Sequence, residues 1–209
     1  MDFHLLLSFI GASILLILMP GPDNIFVLTE SLTKGYRTGI AISTGLSSGI
    51  FIHTLVATTG LALLLQQSPL AFTIIKLLGA LYLFYLAYQA FIDKQQSLIS
   101  NNHHKNENIN YFQLMRKGLL MNVLNPKVSL FFIAFLPQFI SKDGIKISLQ
   151  MIILGTIFMI LALFFFSLIA IVSGRLTSTL NNPKFWNVTR WIKTGILLLL
   201  GLTLLLSKH

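Results

Sequence analysis

Cysteine is absent from this chain of 209 residues. Its absence excludes disulfides, thiolate metal sites and thiol redox relays. Charged residues are also scarce, at 10% of the chain, whereas a typical soluble domain carries about 25%. Hydrophobic residues make up 55% of the chain, and the mean hydropathy is +0.79. Because one soluble core could not hide so many apolar side chains, the composition predicts an integral membrane protein.

Acidic residues are few, with 6 Asp and Glu against 15 Lys and Arg, and the formal net charge is +9. Nucleic acid is not expected as a partner, because no basic run lies on a polar domain. In a membrane protein, basic residues collect in cytoplasmic loops. The chain also lacks a nucleophile–base motif, an H-E-x-x-H motif and a phosphate-binding loop. We therefore expect neither an enzyme nor a cofactor.

Six apolar segments are long enough to cross a bilayer, whose core of about 30 Å needs about 20 residues of helix. They cover residues 3–28, 39–65, 69–92, 118–140, 147–172 and 188–206. The first has neither a basic start nor an A-x-A-like cleavage site, so we interpret it as a retained helix and not as a signal peptide. The sequence thus predicts an all-α protein with six transmembrane helices.

The distribution of Lys and Arg predicts the orientation in the membrane. Ten of these residues lie between segments one and two, in the polar linker 93–117, and in the region from the end of segment five to Lys193 near the start of segment six. Three lie on the other side: Lys142, Lys146 and Lys208. We expect a cell (cytoplasmic, or inner) membrane protein with a cytoplasmic linker and both termini outside.

The chain reads as two halves of one transporter domain spanning 1–209. The first repeat covers about 1–92, the linker about 93–117, and the second repeat about 118–209. In each half the first helix is interrupted by proline, at Pro20 and Pro22 or at Pro126. Because each half has three spans, the second half enters the membrane from the opposite side. This pattern predicts an inverted-topology repeat, the architecture of many secondary transporters.

The two proline breaks are the predicted substrate-binding sites. A proline inside a helix removes one backbone hydrogen bond and displaces a carbonyl, and those groups need new partners within a membrane. An unwound helix offers N–H groups and carbonyls to the carboxylate and ammonium of a zwitterion. The alternative is a structural kink with side chains capping the next half-helix. The predicted residues are Pro20, Gly21, Pro22, Asp23, Asn24, Asn125, Pro126 and Lys127.

These two motifs resemble the LysE/RhtB family of amino-acid exporters. The resemblance rests on the stretch 19–24 with Val27-Leu28, on 34–39, and on 125–127 with 130–132 and 135–139. It covers most of the chain and implies export of amino acids or close derivatives, driven by the proton gradient. Members often have an acidic or other polar residue directly after a G-x-x-x-G motif, where this chain has Ile50. That departure argues against a lysine-type substrate.

Other polar residues inside the spans are secondary candidates. Asp23 is the best acidic residue for binding an ammonium group or a proton, because an intramembrane carboxylate is costly and usually functional. His53 either takes part in proton coupling or makes an interhelical hydrogen bond. Lys127 either faces the cavity or extends toward the interface. Gln89 shares a helix face with two tyrosines, which either line a path or pack.

Two further questions stay open at the level of sequence. The motif Gly45-x-x-x-Gly49 permits close helix approach, either within the fold or in a homodimer. The nearest alternative function is export of a metal ion or another small solute. A metal exporter would need a His-rich loop or a row of carboxylates, and His103-His104 alone is too short a motif to be a metal site. We therefore expect small amino-acid substrates, protons and the lipid bilayer as partners.

Overall fold

The computed structural model describes residues 2–61, 69–92, 109–141, 145–180 and 183–206, and all regular structure within these ranges is helical. The helices are α1 (Phe3–Leu18), α2 (Pro22–Lys34), α3 (Tyr36–Val56), α4 (Pro69–Ile92), α5 (Tyr111–Val123), α6 (Pro126–Leu130), α7 (Ile147–Leu180) and α8 (Pro183–Leu206). A π-helical turn, Ala57–Leu61, continues α3. A π-helical turn, Phe131–Phe135, and a 3₁₀ turn, Leu136–Phe139, continue α6.

Four of these helices are long and apolar enough to cross a membrane by themselves: α3, α4, α7 and α8. Two further spans result if each bent pair, α1 with α2 and α5 with α6, is counted as one crossing. Many large apolar side chains on α4, α7 and α8 are exposed, as expected where the solvent is lipid. The protein is therefore a multi-pass membrane protein with four to six spanning helices.

The first bent pair changes direction by 55° between Leu18 and Pro22. Pro20 and Pro22 have no N–H to donate, so α1 cannot continue through them. Pro22 instead occupies the first position of α2, where a missing N–H costs no helical bond.

The second bent pair changes direction by 49° between Val123 and Pro126. Pro126 likewise begins its helix, and the Asn125 side chain accepts a hydrogen bond from the backbone N–H of Lys127 at 3.0 Å. This contact satisfies one of the free donors at the start of α6.

The long helix α3 lies at the centre of the fold. It packs against α2, α5 and α7, while α4 and α8 pack mainly against each other. Gly45 and Gly118 make the α3–α5 approach possible, since a Cβ on Gly45 would overlap the Met115 carbonyl and one on Gly118 would lie 2.6 Å from the Ile42 carbonyl oxygen. Gly49 likewise faces Asn122 of α5. The G-x-x-x-G motif therefore serves contacts within this chain.

Helix ends extend beyond the predicted apolar segments. α5 begins at Tyr111, inside the predicted linker, because Asn110 caps it by accepting a hydrogen bond from the Gln113 N–H at 3.1 Å. α7 continues to Leu180, beyond the predicted end at 172. Counting apolar residues misses such polar end turns. Residues 93–108, including His103-His104, and residues 142–144 lie outside the described residues.

Candidate functional site

The two helix breaks meet in a buried polar cluster. The Asn125 Nδ2 donates a hydrogen bond to the Asp23 Oδ2 at 2.5 Å, which joins the start of α6 to the start of α2. Asp23 has no exposed surface, and its Oδ1 has no hydrogen-bond partner among the described residues. Each unpaired buried carboxylate oxygen costs free energy unless it receives a proton, a water or a ligand. Asp23 is therefore available for such a partner.

Lys127 extends from the start of α6 to the end of α1. Its Nζ donates hydrogen bonds to the carbonyl oxygens of Leu16 at 3.1 Å and Met19 at 3.3 Å. In an unbroken helix the Leu16 carbonyl would accept from the N–H of residue 20, which is a proline and has none. The lysine thus supplies the donor that Pro20 lacks. Its charge also lies at the carbonyl end of α1, where a cation is favourable.

Asn24 performs a similar task on the other side of the first break. Its Nδ2 donates to the Ile17 carbonyl oxygen at 2.9 Å, an oxygen that Gly21 would satisfy in a continuous helix. The Asn24 Oδ1 has no hydrogen-bond partner among the described residues. Side chains from both halves of the chain therefore replace the backbone hydrogen bonds lost at the first break.

Asp23 and Lys127 occupy matching positions, since each directly follows the proline that begins its helix. Asp23 lies in the first turn of α2, where the N-terminal end of a helix favours an anion. In the described part of the chain, the carboxylate and the ammonium form no direct ion pair. Asn125 donates to the Asp23 carboxylate and accepts from the backbone N–H of Lys127, while the Lys127 ammonium donates to carbonyls of α1. The cluster thus holds opposite charges in the two halves without direct contact.

A cavity of about 500 Å³ adjoins this cluster. It extends between α4 and α8 on the side of the membrane where α4 ends at Ile92 and the linker begins. Its volume is within the range of sites for small molecules, about 300–1,000 Å³. Its polar side chains come from three helices and from the second break: Gln89, Asn125, Lys127 and Lys193. Its remaining walls include the first break, residues 19–22.

Comparison with known proteins assigns the family. The sequence profile of the LysE type translocators matches residues 14–208. This chain belongs to the LysE family. The family consists of transporters and not of enzymes, so the protein is a membrane exporter of small solutes.

Three relatives of this LysE translocator are themselves described only as uncharacterized membrane proteins. YrhP of Bacillus subtilis is 32% identical over 201 residues, which cover 93% of this chain and 95% of the relative. A protein of Vibrio cholerae is 33% identical over 140 residues, or 67% of each chain. PA4757 of Pseudomonas aeruginosa is 31% identical over 173 residues, covering 82% of this chain and 80% of the relative. No solved structure matches.

His53 lies at the second break of this LysE translocator. Its Nε2 is 3.1 Å from the carbonyl oxygen of Asn122, the oxygen that the N–H of residue 126 would satisfy if it were not a proline. The ring also packs beside Phe132, with centroids 5.7 Å apart. His53 does not line the cavity. This geometry favours the interhelical hydrogen bond, and a part in proton coupling stays a prediction.

The alternative function, export of a metal ion, would require side chains grouped so that they can bind the metal. Within the ranges that the structure describes, no group of three or more His, Asp or Glu side chains is placed to hold a metal ion. The described acidic residues besides Asp23 are occupied elsewhere: Asp2 caps α1 through the His4 N–H, and Glu30 forms a salt bridge with Lys34 at 3.0 Å.

The structure brings the predicted site residues of the LysE translocator together around both breaks. Six of them line the cavity: Pro20, Gly21, Pro22, Asn125, Pro126 and Lys127. Asp23 and Asn24 are buried and do not line it. Ile50 is also buried away from the cavity.

Sequence reasoning missed one functional candidate, Lys193. It was counted among the cytoplasmic loop charges, yet it lies within the spanning part of α8 and lines the cavity. The available signal was that Lys193 lies inside the sixth apolar segment, 188–206, and not before it. Gln89, which sequence reasoning left between a path and packing, also lines the cavity and is hydrogen-bonded to Tyr85.

Proposed function

We propose that this protein is a secondary-active exporter that moves amino acids or closely related small metabolites across the cytoplasmic membrane in exchange for protons. The observation that carries the proposal is the meeting of two proline-broken helices at a cluster with an acid, a base and two amides, beside a cavity of about 500 Å³. A zwitterion needs both a cationic and an anionic partner, and broken helices in transporters supply such partners near the middle of the membrane.

The packing pattern supports an inverted repeat. Repeat one consists of the pair α1–α2 with α3 and α4, and repeat two of the pair α5–α6 with α7 and α8. In each repeat the second span packs on the broken span of the other repeat: α3 on α5, and α7 on α1 and α2. The third spans, α4 and α8, pair with each other. Such exchange of equivalent contacts is what a two-fold axis in the membrane plane requires.

The direction of transport follows from the proposed orientation. With the linker in the cytoplasm, as the ten basic residues on its side favour, the cavity faces the cytoplasm. Substrate would load there. Rocking of the two repeats about the breaks would then expose the cluster to the outside.

Asp23 is the proposed proton carrier. Its Oδ1 has no hydrogen-bond partner among the described residues, while its Oδ2 accepts from Asn125 of the other repeat. Protonation would remove the negative charge that faces Lys127 and would weaken the charge-assisted bond from Asn125. Loading a proton would thereby loosen the contact between repeats. This links proton movement to the rocking motion.

An efflux screen tests the proposal. Cells that overproduce the protein are challenged with toxic levels of each amino acid, and selective resistance to at least one is expected. Resistance only to a metal salt such as nickel would instead favour a metal exporter. The Asp23→Asn variant should insert normally but lose export, whereas Glu30→Gln, outside the cluster, should keep it. Normal export by Asp23→Asn would refute the role of Asp23.

A further inference from the structure

The cavity carries positive charge and no described negative charge at its walls. Lys127 and Lys193 both line it, from α6 and α8. The acidic residues that the structure describes lie elsewhere: Asp23 is fully buried, Glu30 is paired with Lys34, and Asp2 caps α1. Two ammonium groups in one cavity with low-dielectric walls concentrate a field that attracts anions and repels cations.

The two lysines differ in depth and in how much of their hydrogen-bonding capacity is used. Lys193 is half-buried, near the linker side of α8. Lys127 is buried at the break, and its ammonium group donates two hydrogen bonds, to the carbonyls of Leu16 and Met19. An ammonium group has three donors, so one remains on Lys127.

Gly21 leaves the approach to the inner lysine open. A Cβ at this position would be 3.4 Å from the Lys127 Nζ, in the space where a ligand atom could sit. Gln89 and Asn125 add neutral amide groups to the same walls. The walls thus offer an outer cation, an inner cation with one unused donor, and two neutral amides.

We infer that this cavity is a carboxylate subsite in which Lys193 meets the carboxylate first and Lys127 receives it at the break. The inference rests on the proposed function and narrows it: the substrates are zwitterionic or acidic amino acids. Cationic amino acids and amines without a carboxylate are disfavoured, because they add a third positive charge to the cavity.

The absence of cysteine makes a direct binding assay possible. Ala90 lines the cavity and is smaller than cysteine by one heavy atom, so Ala90→Cys places one thiol in its wall. The purified full chain is treated with N-ethylmaleimide, a neutral thiol reagent, with or without a probe. Leu197→Cys, on the facing helix, provides a second reporter if Ala90→Cys does not fold.

The probes are matched triplets. Each contains an amino acid, its amide and the same carbon skeleton without the amine; for leucine these are leucine, leucinamide and 4-methylpentanoate. Sets built on alanine, phenylalanine and glutamate are tested in the same way. The amino acids and the simple carboxylates are expected to slow labelling. The amides should need at least about tenfold higher concentration for the same protection, because they lose one charge-assisted contact.

Variants test the assignment to Lys193. Lys193→Gln should raise the half-protecting concentration of carboxylates about tenfold, and Lys193→Glu should shift the preference toward the amides. Lys117→Gln is the matched control, because Lys117 has the same charge but contacts Phe26 instead of the cavity. It should leave protection unchanged.

The outcomes separate this inference from the proposed function. Amides that protect as well as their amino acids would overturn the carboxylate subsite while leaving amino-acid export standing. If no carboxylate protects the thiol, in a protein that exports amino acids in cells, the carboxylate subsite is overturned as well. Protection by carboxylates that depends on Lys193, in a protein that exports no amino acid, would support the subsite and refute the proposed function.

Discussion

Replacing Lys127 by methionine tests whether a side chain from the second half stabilises the broken helix of the first. Methionine keeps an unbranched stem of similar length but has no donor. The variant therefore leaves the carbonyls of Leu16 and Met19 without the hydrogen bonds they receive at 3.1 and 3.3 Å. Both residues are almost fully buried, at 1% and 2% exposed. Water can replace the lost donors only in part at such positions.

The expected loss can be bounded. Two average interhelical hydrogen bonds in a membrane contribute about 1.2 kcal/mol together. Two buried carbonyls left without partners cost about 2–6 kcal/mol. The cavity beside Lys127 is large enough to hold water, which lowers the upper limit. We therefore expect Lys127→Met to lower the free energy of unfolding by about 2–4 kcal/mol.

The measurement is unfolding in mixed micelles with increasing SDS, followed by the fluorescence of the two tryptophans. Lys117→Met is the control, since its cation–π contact with Phe26 is expected to contribute less than about 1 kcal/mol. Adding Asp23→Asn should recover part of the loss, because it removes a buried carboxylate whose opposing charge is gone. Lys127→Met unfolding at the wild-type midpoint would refute the reasoning.

Three further predictions address the packing, the second break and the orientation. Gly45→Ala should destabilise the protein by about 1–3 kcal/mol, because its Cβ would overlap the Met115 carbonyl, whereas Gly11→Ala, with open space around it, should not; equal SDS midpoints would contradict this. His53→Ala should lower the SDS midpoint, and His53→Gln should restore part of the loss because its amide can donate to the Asn122 carbonyl. A wild-type midpoint for His53→Ala would refute a structural role of His53. A cysteine at Asn101 should react with an impermeant maleimide only from the cytoplasmic side, and labelling from outside would reverse the orientation.

The membrane-spanning character of the fold could be predicted because it depends on local composition. Apolar segments of sufficient length cross a bilayer whatever their neighbours, and a proline prevents a helical hydrogen bond wherever it stands. Helix ends were harder to predict. The start of α5 at Tyr111 depends on the cap supplied by Asn110 and not on apolar content.

The site was predictable in its residue types but not in its contacts. Intramembrane Asp23 and Lys127 were visible as costly charges beside prolines. The hydrogen bond from Asn125 to Asp23, and the reach of Lys127 to α1, depend on how the two halves pack. Lys193 escaped detection because a lysine near the end of a span usually extends to the interface.

The sequence by itself determined that this chain is embedded in the lipid bilayer and crosses it repeatedly. It also determined that the helices are interrupted at Pro20–Pro22 and at Pro126. These properties follow from composition and from backbone chemistry, which act within a few residues. Only the tertiary structure decided what satisfies the interrupted helices. Lys127 and His53 supply donors for carbonyls at the two breaks from more than sixty residues away. Such partners are chosen by packing in three dimensions, because a buried carbonyl accepts from whichever donor the fold brings within about 3 Å.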